Sequence, residues 1–242
     1  MTILFAGSTD IGQKRKSNQD SIMMNPNSKL FVVADGMGGH SGGDIASQLT
    51  TTILQDFVYD EQKYKDPKQY VYEAIWECNR QINEKAKQIP ELKGMGTTIV
   101  CAFFHKDRLY IGNVGDSRLY LFFKNQVFQL SRDHSLVNEK VRHGIYDRLT
   151  ARKDPMKNIL VRSVGFESKI DIDIFEYKVK QHDTFLLCSD GLYNKVDDQD
   201  LIHLFEDATL NKKITQHSLQ NMVDDLIAVS YTHLTLPTTP YV

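Results

Sequence analysis

The sequence is poor in cysteine, carries almost no excess of one charge and has no long apolar run. Its three cysteines are widely spaced among apolar neighbours, which predicts core side chains in a reducing compartment. The 29 Lys and Arg residues nearly balance 31 Asp and Glu residues, so we expect no general attraction to nucleic acid or anionic membranes. Nothing approaches the roughly 18 apolar residues of a membrane span. Since the N-terminal MTILFAGSTD also lacks a basic-then-apolar leader, we expect a soluble, cytoplasmic, monomeric protein.

The middle of the chain also lacks a Pro-, Gly- or Ser-rich linker, so residues 1–229 are expected to form one domain. Apolar residues spaced four apart predict helices over 45–57 and 71–82, each with one buried face, and helices resume at about 198–229. A change of alternation phase at Phe175 predicts a bulge or bend. Runs rich in branched and aromatic residues predict strands at 3–8, 29–34, 97–104, 108–114, 118–123 and 183–188.

Four segments place an aspartate at or near the end of an apolar run: Asp20, Asp35, Asp116 and Asp190. We expect the Gly115–Asp116 pair to form the turn between two strands, which puts a carboxylate where the backbone reverses. Mg²⁺ and Mn²⁺ prefer oxygen ligands and need few carboxylates each, so separated aspartates can build a two-metal site. For any single segment the alternative is that Asp-Gly simply makes a turn.

The four segments together resemble, in order and spacing, the signature of bacterial PPM (PP2C-like) phosphatases. The likeness runs from about residue 5 to about 229 and is most similar to the stand-alone enzymes that Gram-positive bacteria pair with a transmembrane Ser/Thr kinase. Residues 130–137, LSRDHSLV, also resemble the segment that leads into a mobile flap in this family. The matching motifs are GQKRKSNQD at 12–20, DGMGGH at 35–40, GTT at 96–98, GDSR at 115–118 and SDG at 189–191.

The resemblance implies an α+β fold: a central β-sandwich of two antiparallel sheets flanked by pairs of helices, with two Mn²⁺ or Mg²⁺ ions in a cleft at one edge. It implies that Asp35 bridges both ions and that Gly36 supplies its carbonyl. Asp20 and Asp190 would bind directly or through water, and Asp116 would serve a third, weaker site. A metal-activated water would then hydrolyse phosphoserine and phosphothreonine in proteins without a phosphoenzyme, opposing a kinase.

Arg15 is the candidate for binding the substrate phosphate, because its planar guanidinium suits bidentate contact with phosphate oxygens. The alternative is a solvated basic face shared with Lys14 and Lys16. Gln19 stands where many family members have Glu. It can still orient a metal-bound water, but its lack of charge would lower the affinity for that ion.

The general acid is not obvious. Met37 occupies the place where eukaryotic family members have the histidine favoured for this role, and methionine cannot donate a proton. His40 is the catalytic candidate nearby and would act through water. The alternative is that it caps or packs the helix that begins near Ser41.

The sequence lacks the residues that other phosphatase mechanisms require. A cysteine-dependent phosphatase needs Arg six positions after its Cys, but Cys78, Cys101 and Cys188 are followed there by Glu84, Asp107 and Asn194. The DIDIF segment at 171–175 superficially matches an aspartyl-phosphate motif, yet its fifth residue is wrong and its alternation predicts a strand. A Gly-Lys-Ser/Thr nucleotide loop is also missing.

The alternative function is a phosphoprotein-binding pseudophosphatase with an incomplete metal site. The family's last motif, a Gly-rich turn followed by Asp-Asn and a strand, is expected after Ile227, but no acid follows Asp225. Residues 230–242 are therefore expected to be a non-native or disordered tail, with the last strand missing. The chain as written would then be less stable and at best weakly active.

Overall fold

The computed structural model describes residues 2–13, 15–38, 42–209 and 214–232. The strands are β1 (Asp20–Asn25), β2 (Leu30–Met37), β3 (Gly96–Thr97), β4 (Ile99–His105), β5 (Arg108–Val114), β6 (Arg118–Phe123), β7 (Gln126–Gln129), β8 (Asp173–Lys178) and β9 (Thr184–Cys188). The helices are α1 (Gly43–Asp56), α2 (Pro67–Gln88), α3 (Leu136–Arg142), α4 (Arg148–Lys153), α5 (Asp190–Tyr193), α6 (Asp198–Thr209) and α7 (Gln216–Thr232).

The strands form two antiparallel sheets, which confirms the predicted sandwich. The larger sheet has the order β1-β2-β4-β5-β8, with the short β3 paired to the end of β2. The smaller sheet has the order β7-β6-β9. Phe31, Phe104, Leu119 and other apolar side chains fill the space between the sheets.

Helices cover the outer face of each sheet. The helices α1 and α2 pack on the larger sheet through a cluster that includes Leu54, Ile75 and Ile82. On the smaller sheet, α6 and α7 contribute Leu201 and Leu226 to a separate cluster. Each helix therefore buries an apolar face, as the four-residue spacing of α1 and α2 predicted.

The N-terminal segment departs from prediction, because residues 3–8 do not form a strand. Ile3 and Phe5 still pack against the core between the sheets, which accounts for their apolar pattern. No backbone ladder reaches this segment from the described residues. Instead the side-chain amide of Gln216 on α7 binds the backbone of Phe5. Its Nε2 donates to the Phe5 carbonyl, and its Oε1 accepts from the Phe5 N–H at 3.4 Å. Burial alone does not make a strand when no neighbouring strand supplies hydrogen bonds.

Two further predictions about the sheets are wrong. Gly115 and Asp116 do not close a hairpin, because β5 lies in the larger sheet and β6 in the smaller one. The chain instead crosses between sheets at this corner. No bulge occurs near Phe175 either, since β8 pairs with β5 in unbroken register. Ile174 packs toward the helices and Phe175 toward the other sheet, so the change of phase reflects a strand with partly buried apolar residues on both faces.

At the C-terminal end, α7 continues to Thr232, so residues 230–232 of the predicted tail are helical. Residues 233–242 lie outside the described part of the chain. Among the described residues, no helix has both the length and the apolar character needed to cross a bilayer.

Candidate active site

The site begins with two aspartates on neighbouring strands. Asp20 opens β1 and lies directly opposite Asp35 of β2 in the antiparallel register. Directly opposed residues point to the same face of a sheet, so the two carboxyl groups are neighbours. Sequence reasoning missed β1, because only the middle of DSIMMN is apolar.

The backbone of Asp35 is fixed by two threonines, Thr97 at the end of β3 and Thr98 directly after it. The Asp35 N–H donates to Thr98 Oγ1 at 2.9 Å, and the Thr98 N–H donates to the Asp35 carbonyl at 2.8 Å. Thr97 Oγ1 donates to the same carbonyl at 3.0 Å. Both threonines are buried. This bracing limits the movement of the Asp35 backbone beneath its side chain.

Gly36 allows helix α1 to begin directly beside the site. A Cβ at Gly36 would lie 1.8 Å from the carbonyl oxygen of Gly43, the first residue of α1. The Gly36 N–H donates to the Gln19 carbonyl at 3.0 Å, so the residue is also tied to the strand that carries Asp20. No side chain fits here without displacing backbone.

Asp190 reaches the site from the smaller sheet. It is the first residue of α5, directly after β9, and its Oδ2 accepts a hydrogen bond from Asn194 Nδ2 at 3.1 Å. Its neighbour Ser189 donates to Asp20 Oδ2 at 3.0 Å. This bond joins residues from the two sheets and brings the end of β9 against β1.

Electrostatic interactions join the four predicted aspartates into one cluster. Burial, followed by the charges of Asp20 and Asp190 and, more weakly, of Asp116, raises the pKa of Asp35 to about 9. Burial, followed by the charge of Asp190, raises the pKa of Asp116 to about 7. The pKa of Asp20 is also raised by burial, although the hydrogen bond from Ser189 opposes the change.

The donor set fits hard divalent cations. Asp20 Oδ1 is buried and has no hydrogen-bond partner, which is costly for a carboxylate oxygen unless a cation satisfies it. As they stand, no three His, Cys, Asp or Glu side chains in the described ranges are arranged to hold a metal ion. Like-charged carboxyl groups repel one another, so their closer approach requires the positive charge of a cation.

The site is open to solvent on one side. A groove of about 1760 Å³ reaches Arg15, Asp20 and Asp190, although Asp35 and Asp116 do not line it. Much of its wall comes from the N-terminal segment 2–13, β9 and α7. Arg15 is exposed and its NH1 lies 3.4 Å from Gln19 Oε1. The positive charge of Arg15 also acts on the Asp20 carboxyl. His40 lies outside the described residues.

Sequence reasoning missed the side chains that support the aspartates. Ser189, Thr97 and Thr98 belong to the recognised motifs, so those motifs were a signal, but no contact could be assigned to them. A larger set lies beneath the Asp116 corner, where Arg118 makes a bidentate contact with Asp133 at 2.6 to 3.1 Å. Both residues belong to quoted motifs, but their contact could not be predicted, because they become neighbours only when the two sheets are in place.

The sequence matches a known protein family. A profile described as Protein phosphatase 2C matches residues 9–224. The chain is 40% identical over 199 residues to the serine/threonine phosphatase stp of Listeria welshimeri, which covers 80% of this chain and 79% of that protein. It is 30% identical over 207 residues to the serine/threonine protein phosphatase PstP of Mycobacterium tuberculosis, covering 85% of this chain and 39% of that protein.

Solved structures give the same result. The serine/threonine phosphatase Stp1 from Staphylococcus aureus has a TM-score of 0.84 and 32% identity, covering 97% of this chain and 91% of that one. The catalytic domain of the phosphatase PstP in complex with two manganese ions has a TM-score of 0.80 and 27% identity, covering 93% and 90% of the two chains.

Proposed function

The chain belongs to the protein phosphatase 2C family, and from that premise we propose how its residues remove phosphate from proteins. It is a metal-dependent serine/threonine protein phosphatase. Nothing in the comparisons favours the phosphoprotein-binding pseudophosphatase. The observation that supports the proposal is that Asp20 lies directly opposite Asp35 and accepts a hydrogen bond from Ser189, the neighbour of Asp190.

We assign the metal ligands to the carboxylates of this cluster. Asp35 is central and would be shared between two ions, with Asp20 on one side and Asp190 on the other. The carbonyl of Gly36 would complete the inner set, Gln19 would contact a metal-bound water, and Asp116 would serve a third, weaker site. When bound, two divalent ions, Mn²⁺ or Mg²⁺, supply a water of lowered pKa and positive charge for the phosphoryl oxygens.

The protein's own contribution is to orient these groups. Thr97 and Thr98 hold the Asp35 backbone, and Ser189 fixes one oxygen of Asp20 so that the other, Oδ1, is free to bind a cation. Such fixed donors cost no reorganisation when the reaction occurs.

Arg15 binds the substrate phosphate in this proposal. Its guanidinium is exposed at the rim, and its described hydrogen bond goes to the neutral amide of Gln19 and not to a carboxylate. It therefore keeps donors for a phosphate dianion, and bidentate contact would direct the phosphorus toward the aspartate cluster. His40 stays a candidate for assisting the leaving group.

Phosphoprotein substrates follow from the family. An opposing transmembrane Ser/Thr kinase, a cytoplasmic location and a monomeric state stay predictions, resting on the resemblance to stand-alone bacterial enzymes and on the sequence.

Metal removal tests the proposed function directly. The full chain should hydrolyse p-nitrophenyl phosphate and a phosphothreonine peptide slowly with Mn²⁺ present, as expected of a site without the family's last acidic motif, and exhaustive treatment with EDTA should abolish both activities. Mn²⁺ added back after the chelator is removed should restore them. Turnover that survives exhaustive chelation would contradict the assignment of the aspartates, and a chain that is inactive under all metal conditions would contradict the proposed function.

A further inference from the structure

His134 satisfies both backbone polar groups of Gly115. The His134 N–H donates to the Gly115 carbonyl at 2.9 Å, and the Gly115 N–H donates to His134 Nδ1 at 3.1 Å. Gly115 is the residue directly before Asp116, at the corner where the chain crosses from one sheet to the other. The His134 side chain and backbone therefore hold both polar groups of this corner, and Asn113 Nδ2 adds a longer contact of 3.4 Å to the Gly115 carbonyl.

The corner has little freedom to adopt another shape. Gly115 has φ +98°, and a Cβ there would lie 2.6 Å from Thr98 Cγ2. Only glycine combines this backbone conformation with this close approach. Because neighbouring atoms and His134 determine the path of the Gly115 backbone, they also determine the direction in which Asp116 leaves it.

The imidazole of His134 is itself fixed. It is 1% exposed, and its Nε2 lies 3.3 Å from Asp173 Oδ2 and 3.4 Å from Arg162 NH1. Because the Gly115 N–H occupies Nδ1, a neutral ring carries its proton on Nε2, facing Asp173. The His134 carbonyl accepts a further bond from the Val161 N–H at 2.9 Å. The ring cannot turn without breaking several contacts.

We infer that His134 is a positioning residue for metal binding at Asp116: by holding the Gly115 corner it fixes the position from which the Asp116 side chain leaves the backbone. The inference rests on the proposed function in taking Asp116 as a metal ligand. A residue that only stabilised the fold would lower the free energy of unfolding without changing one particular metal-binding step. Residues that orient ligands typically alter metal affinity by 10- to 100-fold.

Two substitutions separate these roles. In His134→Asn the amide oxygen can stand close to the position of Nδ1 and accept from the Gly115 N–H. In His134→Gln the longer side chain places its amide toward the position of Nε2, and the Gly115 N–H is left unsatisfied. Asn79→Ala is the matched control, because Asn79 is also fully buried and its side chain satisfies two backbone groups, those of Gly165 and Glu167.

The measurement is calorimetric titration of the metal-free full chain with Mn²⁺, below the melting temperature of the least stable variant. Asp116→Asn should weaken or remove one binding step, and His134→Gln should weaken that same step about tenfold. His134→Asn should stay close to wild type. Asn79→Ala should lower the melting temperature and leave all Mn²⁺ binding steps unchanged.

A double-mutant cycle completes the test. If His134 acts through Asp116, adding His134→Gln to Asp116→Asn should cause no further loss of Mn²⁺ affinity. The inference would be overturned by wild-type Mn²⁺ binding in His134→Gln, by equal damage from His134→Asn and His134→Gln, or by an undiminished effect in the Asp116→Asn background. Because turnover is not measured, an inactive chain would refute the proposed function and not this inference.

Discussion

At the scale of single residues, the site depends most on Asp35. Its carboxyl lies opposite Asp20 and is affected by the charges of Asp116 and Asp190, and its backbone is braced by threonines. Arg15 differs in kind, because it is exposed and lies at the rim. The two residues should therefore serve different steps of the reaction.

Substitution of these two residues separates the steps. Asp35→Ala should remove turnover almost completely, because the ligand that we propose both ions share would be lost. Arg15→Ala should chiefly raise KM, by about 10- to 100-fold, since a charge-assisted contact with phosphate is worth about 1.5–3 kcal/mol. Lys16→Ala is the control, because this exposed neighbour has a similar charge and should leave KM unchanged. Steady-state kinetics would contradict the assignment if both site variants lost kcat equally at unchanged KM.

The sequence predicted the aspartates because each one lies in a short local motif. It could not predict that Ser189 would bind Asp20, which is 169 residues away, or that His134 would hold Gly115. Such contacts depend on how elements pack, and no local pattern encodes that.

At the scale of elements, α1, α2 and most strands were predictable from periodicity, whereas their assignment to sheets was not. A run of apolar residues does not indicate which sheet it joins. The sequence therefore predicts a hairpin of β5 and β6, whereas the two strands lie in different sheets. β8 presents a related problem. Because it carries apolar residues on both faces, its sequence changes phase at Phe175 as a bulged strand would, although its pairing with β5 is regular. The short, mostly exposed β7 gave little apolar signal.

The contact of β2 with α1 gives a prediction at this scale. Gly36→Ala should destabilise the protein by about 1–3 kcal/mol, because the added Cβ would overlap the Gly43 carbonyl and push the helix away. Mn²⁺ binding should weaken at the same time. Gly191→Ala is the matched control, since its Cβ would meet only Ser189 Oγ at an ordinary 3.6 Å. Urea unfolding curves of the two variants that coincide would contradict this reading of the packing.

At the scale of the whole molecule, carboxyl groups from both sheets and the corner between them place negative charge in one buried region. The ordinary pKa of an aspartate is 3.8, whereas those of Asp35 and Asp116 are raised to about 9 and about 7. The metal-free folded state therefore retains protons that the unfolded state releases. This contribution to stability is complete below the ordinary value and is lost as pH rises through the raised ones.

The EDTA-treated protein should thus lose stability from about pH 4, near the ordinary aspartate pKa of 3.8, up to about pH 9, and most steeply below about pH 7, where both groups keep protons that the unfolded chain releases. Asp35→Asn should reduce this slope, because the amide does not titrate. Saturating Mn²⁺ should stabilise the protein more at the higher pH, since cations and protons compete for the same carboxyl groups. Thermal unfolding at several pH values measures both effects, and a metal-free protein whose stability rose over this window would contradict them.

The hydrogen bond from Ser189 to Asp20 also determines how late in synthesis the site can be completed. A ribosome that adds about 5–20 residues per second needs on the order of ten to thirty seconds to pass from one of these residues to the other. During that interval β1 and β2 are already made, but the strand and helix that carry Asp190 do not exist. Asp190, the last of the four aspartates to be synthesised, can therefore join Asp20 and Asp35 only late in synthesis, after β9 and α5 have been made.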